Sequence, residues 1–350
     1  MAGAYFFDAM ASGFVVSSNQ VLTNAHAVAQ ANYVKVQLAG FSKIFSAKVA
    51  VLGHDCDLAL LEITDPEFAD LSEAVIFGEE VQEGDEVLAI GYPLHDVISY
   101  TKGIVSRLHH KRYAHSGAYL YAVQIDAAVN PGNSGGPVLH QDKVVGVVFE
   151  KYSHYSNITL DNMGFMIPLS IVKHFIQAAE SGHYPGFPYL NMPFQYLNNP
   201  SLREYFRIDE DVTGLRIVDG CLNGELKEGD IVLKVDNVPL DNDGSIYFNG
   251  IKRDLFIYIL VEKQIGDKIS IEFLRDGVVK ECVVEISASW DISFSNKQSY
   301  LVYGGLVFVE EFSELLRKPV VVLKEVLPHP TTLAYRSFQG MRIKKIGNDS

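Results

Sequence analysis

Between residues 13 and 167 the chain is cut into short runs rich in Val, Ile and Leu: 13–17, 20–23, 33–38, 45–52, 58–63, 86–90, 103–106, 120–125, 144–149 and 163–167. Gly, Pro, Asn and Asp separate them. Runs this short, at near-regular spacing and with turn residues between them, predict strands closing into a barrel or sandwich. The first clear helical pattern comes later, at 168–179, with Pro168 at its first position and Ser181-Gly182 as its stop. Residues 182–193, rich in Gly, Pro and Tyr, then read as a domain boundary.

Length supports more than one domain, since 350 residues exceed the roughly 150 of a typical one. The stretch 184–287 mixes strand patterns (214–218, 231–235, 269–274, 278–286) with helical ones (200–206 and 252–262). Arg275-Asp276-Gly277 marks a hairpin between the last two strands. The stretch 290–350 repeats part of this order: an apolar strand at 320–323, a linker, then Met341–Asn348, which ends like Ile231–Asn237. That similarity predicts a second, incomplete copy of one small module.

Composition removes several classes. The chain is 48% hydrophobic and 11% aromatic, which excludes disorder. A net charge of -14 leaves no broad basic surface for nucleic acid. No apolar stretch approaches the ~20 residues of a membrane span. Three cysteines (Cys56, Cys221, Cys282) allow at most one bridge and include no CxxC pair. Residues 1–19 carry no Lys or Arg, so the start lacks the basic region of a secretory signal. Read as written the chain is cytoplasmic; a truncated start would fit an extracytoplasmic or organellar protein. The compartment stays open.

The chemistry sits in three places. Gly132-Asn133-Ser134-Gly135-Gly136-Pro137 puts a serine between glycines, where the backbone can turn sharply and approach a substrate. Backbone N–H groups there can converge on one spot. His26, just after a strand, is the candidate base. Asp57, just before a buried strand, is the candidate acid. The order His, Asp, Ser is that of the chymotrypsin-type double barrel, not of subtilisin or the α/β-hydrolases. Taken singly, His26 reads as a structural histidine, Asp57 as a strand-end carboxylate and Ser134 as a turn; together they read as a catalytic set.

These motifs, with Gln124–Pro131 and Gly164–Pro168, resemble the HtrA/Deg family of serine proteases over residues 12–181. The Asp241–Gly244 turn and Tyr303–Phe308 look most like its plant Deg branch. The resemblance implies a mainly β chain: a chymotrypsin-like double β-barrel over 1–183, an α+β PDZ domain over 184–289 and a partial PDZ-like domain over 290–350. It implies an ATP-independent endopeptidase that degrades unfolded or damaged proteins, forms homotrimers or larger assemblies and needs no cofactor or metal. Carried over, Ser134 is the nucleophile, His26 the base and Asp57 its orienter. Gly132, Ser134 and Asn133 supply the oxyanion hole. Ala128, Val129, Asn130, Phe165, Met166 and Ile167 line the substrate pocket. Ala128 at the pocket floor carries no charge, so a buried Lys or Arg would go unpaired. Small or medium aliphatic residues are therefore expected before the scissile bond, and Met166 narrows the pocket.

Other segments carry weaker expectations. Tyr189-Leu190-Asn191-Met192 resembles the PDZ loop that captures a peptide C-terminus; its plain reading is an interdomain linker. The loop 92–101 resembles the activation loop, with Tyr92-Pro93-Leu94-His95 where the family has Asn-Pro-Phe-Gly. His109–His115 reads as a solvated loop, the family's sensor loop by resemblance. Tyr5-Phe6-Phe7 could form a trimer contact, and residues 5–9 an opening strand. The rival function is a peptide-binding, chaperone-like protein on a silent protease scaffold.

Overall fold

The computed structural model describes residues 10–29, 31–93, 97–151, 154–155, 158–159, 163–180, 182, 184–190, 192–248, 251–253, 255–288, 300–303, 306–313, 318–326 and 341. Met1–Ser289 forms one compact unit and Trp290–Ser350 a second. The opening strand at 5–9, Tyr5–Phe7, Asn191, Leu94, His95 and the strand expected after Met341 lie outside the described residues.

The first half of the chain builds two β-structures. β1 (Phe14–Ser17) and β2 (Gln20–Thr23) form a hairpin around the two-residue turn Ser18-Asn19. The short helix α1 (Ala25–Val28) follows, then β3 (Val34–Gln37), β4 (Ile44–Gly53) and β5 (Leu58–Ile63). Their order in the sheet is β1-β2-β5-β4-β3. β5 lies centrally, and all its residues but Glu62 are buried. Alternating side chains of these strands close on Phe45 and Phe68, whose rings meet edge to face at 5.2 Å. Phe68 comes from α2 (Glu67–Leu71).

The second structure is a closed barrel. Its strands are β6 (Glu86–Gly91), β7 (Ser99–Arg112), β8 (Tyr119–Ile125), β9 (Pro137–His140) and β10 (Lys143–Lys151). After the small hairpin β11 (His154–Tyr155) and β12 (Ile158–Thr159), β13 (Gly164–Pro168) completes it. The order β10-β13-β8-β7-β6-β9 closes on itself and removes both sheet edges. Small and branched residues (Ala89, Val105, Val123, Val138, Val148) fill the interior, where a narrow barrel has room for little else. A closed barrel needs long strands, and β7 runs unbroken through Arg112. The expectation of a solvated loop at 109–115 is therefore corrected. His109 to Arg112 are strand residues, Lys111 and Tyr113 are buried, and the chain leaves the sheet only between Arg112 and Tyr119. The Lys111 ammonium lies 4.8 Å from the Phe165 ring centroid, which softens its burial.

Helix α3 (Leu169–Ala179) follows β13 directly, with Pro168 as its N-cap rather than its first helical residue. Leu169, Ile171, Val172 and Phe175 are buried on one face, each contributing roughly 1.5–3 kcal/mol. The chain then enters β14 (Pro188–Tyr189), β15 (Phe194–Tyr196), α4 (Pro200–Phe206), β16 (Leu215–Ile217), β17 (Ile231–Val235) and β18 (Val238–Pro239). After β19 (Ile246–Phe248) and β20 (Ile251–Arg253) come β21 (Lys268–Arg275), β22 (Val278–Glu285) and β23 (Ser287–Ala288). One sheet runs β15-β16-β17-β21-β22, with the expected tight turn at Asp276-Gly277 between the last two. The helix expected over 252–262 is instead a strand end followed by a 3-10 helix, Phe256–Glu262. Phe256 and Tyr258 to Val261 are all buried there. A segment apolar on every side and rich in β-branched and aromatic residues lacks the one-sided pattern of a surface α-helix. In the second unit, β24 (Tyr300–Tyr303), β25 (Leu306–Ser313) and β26 (Lys318–Val326) form an antiparallel sheet.

α3 meets the 3-10 helix region through His174. The imidazole is buried, and Gln264 Nε2 lies 3.2 Å from its Nδ1. Burial pushes its pKa down to about 4, with the Val261 backbone and Asp267 acting in the opposite sense. The unfolded chain therefore takes up this proton first as pH falls. Stability is full above about pH 6.5 and is lost as pH falls toward 4, by roughly 3 kcal/mol at most. Urea unfolding at pH 7 and pH 4 should show that loss in the wild type and a smaller one in His174→Gln. Equal losses in the two proteins would contradict this assignment.

Candidate active site

Asp57 is delivered by a turn. Residues 54–57 link β4 to β5, the Asp57 N–H donates to the His54 carbonyl at 3.2 Å, and Asp57 has φ 55°. An L-residue in this left-handed region costs about 1–2 kcal/mol, so its surroundings must hold it there. Asn24 Nδ2 and the Ala25 N–H both donate to the Asp57 carbonyl, at 2.9 and 3.1 Å. The carboxylate is buried and accepts twice from one residue. The His26 N–H reaches Oδ1 at 2.9 Å, and His26 Nδ1 lies 2.7 Å from Oδ2. With an acceptor-only carboxylate on that side, Nδ1 carries the proton and Nε2 keeps its lone pair.

Ser134 comes from the other β-structure, in the loop between β8 and β9. Asn133 N–H donates to the Asn130 carbonyl (3.0 Å), Gly136 N–H to the Asn133 carbonyl (2.9 Å) and Gly135 N–H to the Val148 carbonyl (2.8 Å). Ser12 fastens this loop to the first sheet. Its N–H donates to the Ser134 carbonyl (2.9 Å) and its hydroxyl to the Gly132 carbonyl (2.7 Å), while Thr23 Oγ1 donates to the Ser12 carbonyl (2.7 Å). Gly135 has φ +85° and passes so close that a Cβ there would collide with the Ser12 carbonyl and Thr23 Oγ1 and lie 3.2 Å from the Asn24 N. The loop thus docks two residues from His26 on one side and next to Ser134 on the other. Among the described residues the Ser134 hydroxyl makes no hydrogen bond with the His26 ring; such bonds often tighten only when substrate binds.

The backbone around Ser134 sorts the oxyanion candidates. Among the described residues, neither the Gly132 nor the Ser134 N–H donates to a protein acceptor, and Gly132 has φ +101°. The Asn133 N–H is spent on Asn130. The expectation that Asn133 shares in the hole is therefore corrected: its N–H already has a partner inside the loop.

The pocket residues divide by strand alternation. Met166 shares the barrel interior with Val129, and a Cβ on Gly164 would lie 2.7 Å from Val129 Cγ2. Phe165 and Ile167 point to the opposite face, into the core beneath α3. Successive strand residues face opposite ways, so all three cannot line one pocket. Ala128 is exposed, and its carbonyl accepts from Thr101 Oγ1 at 3.0 Å. Tyr189 lies on β14, which pairs with β23, while Leu190 and Met192 are buried.

Sequence reading missed four contributors. Ser12, Thr23 and Gly135 clamp the serine loop; of these, only the glycine in Gly135-Gly136 left a local signal. The fourth is His115, whose ring lies 6.1 Å from that of His26 and stacks on His54, with His54 Nδ1 and His115 Nε2 at 2.9 Å. Desolvation lowers the His115 pKa, the neighbouring His54 and His26 lower it further, and Asp57 opposes them.

The arrangement can take a proton from a hydroxyl at His26 Nε2, and the N–H groups of Gly132 and Ser134, without protein acceptors among the described residues, flank that serine. The trypsin-like peptidase domain profile matches residues 11–147. The chain is 35% identical over 362 residues to the putative protease Do-like 3, mitochondrial, of Arabidopsis thaliana, covering 96% of this chain and 64% of that protein. It is 34% identical to the putative protease Do-like 13 of the same plant, covering 96% of this chain and 71% of that protein. It thus spans less than two thirds of the length of Do-like 3. Among solved structures, the HtrA-type protease AlgW with decapeptide superposes with a TM-score of 0.61 at 25% identity, over 79% of this chain and 82% of that one. With its paired His26 and Asp57 at the edge of one β-structure and a clamped Ser134 loop from the next, the chain belongs to the Do-like, HtrA-type family of serine proteases.

Proposed function

We propose that this chain is an ATP-independent serine endopeptidase acting on unfolded or damaged proteins. The observation that carries this reading is the buried Asp57 carboxylate, which holds His26 through both its backbone N–H and its Nδ1. Ser134 Oγ attacks the scissile carbonyl while His26 Nε2 takes its proton. Asp57 stabilises the imidazolium, which then protonates the leaving amine. A water activated by the same histidine releases the acyl group from Ser134. The Gly132 and Ser134 N–H groups bind the developing oxyanion, each worth about 3 kcal/mol in the transition state.

Supporting features extend the reading. With the uncharged Ala128 exposed beside the serine loop, small or medium aliphatic residues fit before the scissile bond. Residues 1–183 act as the protease domain. Residues 184–289 act as a PDZ domain that takes peptide C-termini at Tyr189–Met192 or regulates activity, and 290–350 as a partial second one. Assembly is a homotrimer or larger. Relatives named as mitochondrial make an organelle the favoured compartment. The second reading, a peptide-binding protein on a silent scaffold, draws on the lack, among the described residues, of a Ser134–His26 hydrogen bond in the absence of substrate. Intact-mass analysis after fluorophosphonate treatment separates the two: one adduct on the wild type and none on Ser134→Ala is expected. A folded wild-type protein that takes no adduct would overturn the endopeptidase reading.

A further inference from the structure

Two residues before Asp57 lies a second buried carboxylate that the triad does not use. Asp55 is 1% exposed. Its Oδ1 accepts the Cys56 N–H at 2.9 Å, and its Oδ2 accepts the N–H of Phe187, 132 residues further along the chain. The backbone carbonyl of Asp55 accepts from Ser116 Oγ at 3.0 Å, in the turn that carries His115. The Tyr184 hydroxyl is buried and interacts with the Asp55 carboxylate: it pulls the Asp55 pKa down, and Asp55 in turn raises that of Tyr184. Desolvation raises the Asp55 pKa, and the Phe187 and Cys56 N–H groups pull it back. A buried carboxylate is costly unless it is hydrogen-bonded, so Asp55 holds its place only while the Cys56 and Phe187 N–H groups serve it.

What it binds is the connection between α3 and β14. Phe187 packs its ring 4.6 Å from His174, Tyr184 packs 5.1 Å from Phe175, and Phe175 abuts Gly53 at the end of β4. Immediately after Phe187, β14 pairs with β23 and packs on the 3-10 helix Phe256–Glu262. On the other side, Asp55 belongs to the same four-residue turn as Asp57, whose left-handed φ must be held from outside.

We propose that Asp55 is a positioning residue that ties the 184–187 segment to the catalytic turn, so that the seating of this segment sets how well Asp57 holds His26. The inference rests on the triad reading. When Phe187 is seated, two N–H bonds fix the Asp55 carboxylate and Asp57 stays in its left-handed conformation. When β14 shifts, the Phe187 bond breaks, the turn relaxes and the His26 ring loses its register.

The test uses the full chain and begins with fluorophosphonate labelling of the wild type, whose failure would remove the triad reading itself. Given labelling, Asp55→Asn should slow labelling and lower kcat on a short peptide by roughly 10- to 100-fold, the scale of a small misplacement at a catalytic group. KM should stay within about twofold, and the downfield proton resonance of His26 Nδ1–H should shift or broaden. A second variant replaces Phe187 with its α-hydroxy analogue, phenyllactic acid, which removes the donor N–H while keeping the benzyl side chain. It should lower kcat about three- to tenfold, the worth of one hydrogen bond. Labelling rates within twofold of wild type in both variants would overturn the proposal. So would a loss that vanishes once rates are expressed per folded molecule by circular dichroism. If Asp55→Asn does not fold, the phenyllactate variant decides alone.

Discussion

Ser134→Ala is expected to lower kcat on unfolded casein by about 10⁶-fold, the loss seen when the nucleophile of a coupled triad is removed. The residual rate would come from the Gly132 and Ser134 N–H groups and from binding alone. The variant should fold as the wild type does. The loop is held by the Ser134 carbonyl, the Gly132 carbonyl and the Gly135 N–H, none of which needs the Ser134 hydroxyl. Ser134 is partly buried and its hydroxyl has no protein partner among the described residues, so removing the hydroxyl costs little stability. Cleavage retained above about one part in a thousand, with unchanged thermal unfolding, would place the nucleophile elsewhere.

Asp57→Asn is expected to lower kcat by about 10⁴-fold with little change in structure. The two contacts of Asp57 predict how. An asparagine can turn its carbonyl toward the His26 N–H and its amide toward Nδ1, so both contacts of the aspartate keep a partner. Nδ1 must then accept, the proton moves to Nε2, and the ring can no longer take the Ser134 proton. The check is kcat together with the proton resonances of His26: loss of the Nδ1–H signal with an unchanged unfolding midpoint is the expected pair. A drop of less than tenfold would show that Asp57 does not set the tautomer.

The legibility of this protein varies along the chain, for physical reasons. Strands such as Leu58–Ile63 and Ile231–Val235 were readable because a buried strand is a short apolar run with turns at its ends. The order of His26, Asp57 and Ser134 was readable because glycines flank the serine and each partner borders a strand. The continuation of β7 through Arg112 was not, because polar residues hide a strand whose pairing with β8 supplies its stability. The 3-10 segment Phe256–Glu262 was misread as a longer helix because a run buried on all sides shows no preferred period. Phe165 and Ile167 were placed with Met166 by their position in a motif, whereas strand alternation sends them to the other face.

The sequence by itself determined the strand-rich class and singled out His26, Asp57 and Ser134, in that order, as the proposed catalytic set, because these depend on residue type and local spacing. Only the tertiary structure decided how the set is held. Ser12 reaches Ser134 across 122 positions, Phe187 reaches Asp55 across 132, and His115 comes beside His26 from the far end of β7. Contacts this distant in sequence leave no local period or motif, since they exist only once both β-structures and α3 have packed. The same holds for the Asn133 N–H: whether it faces a substrate or Asn130 is a matter of loop conformation, set by the Ser12 clamp and the close passage of Gly135.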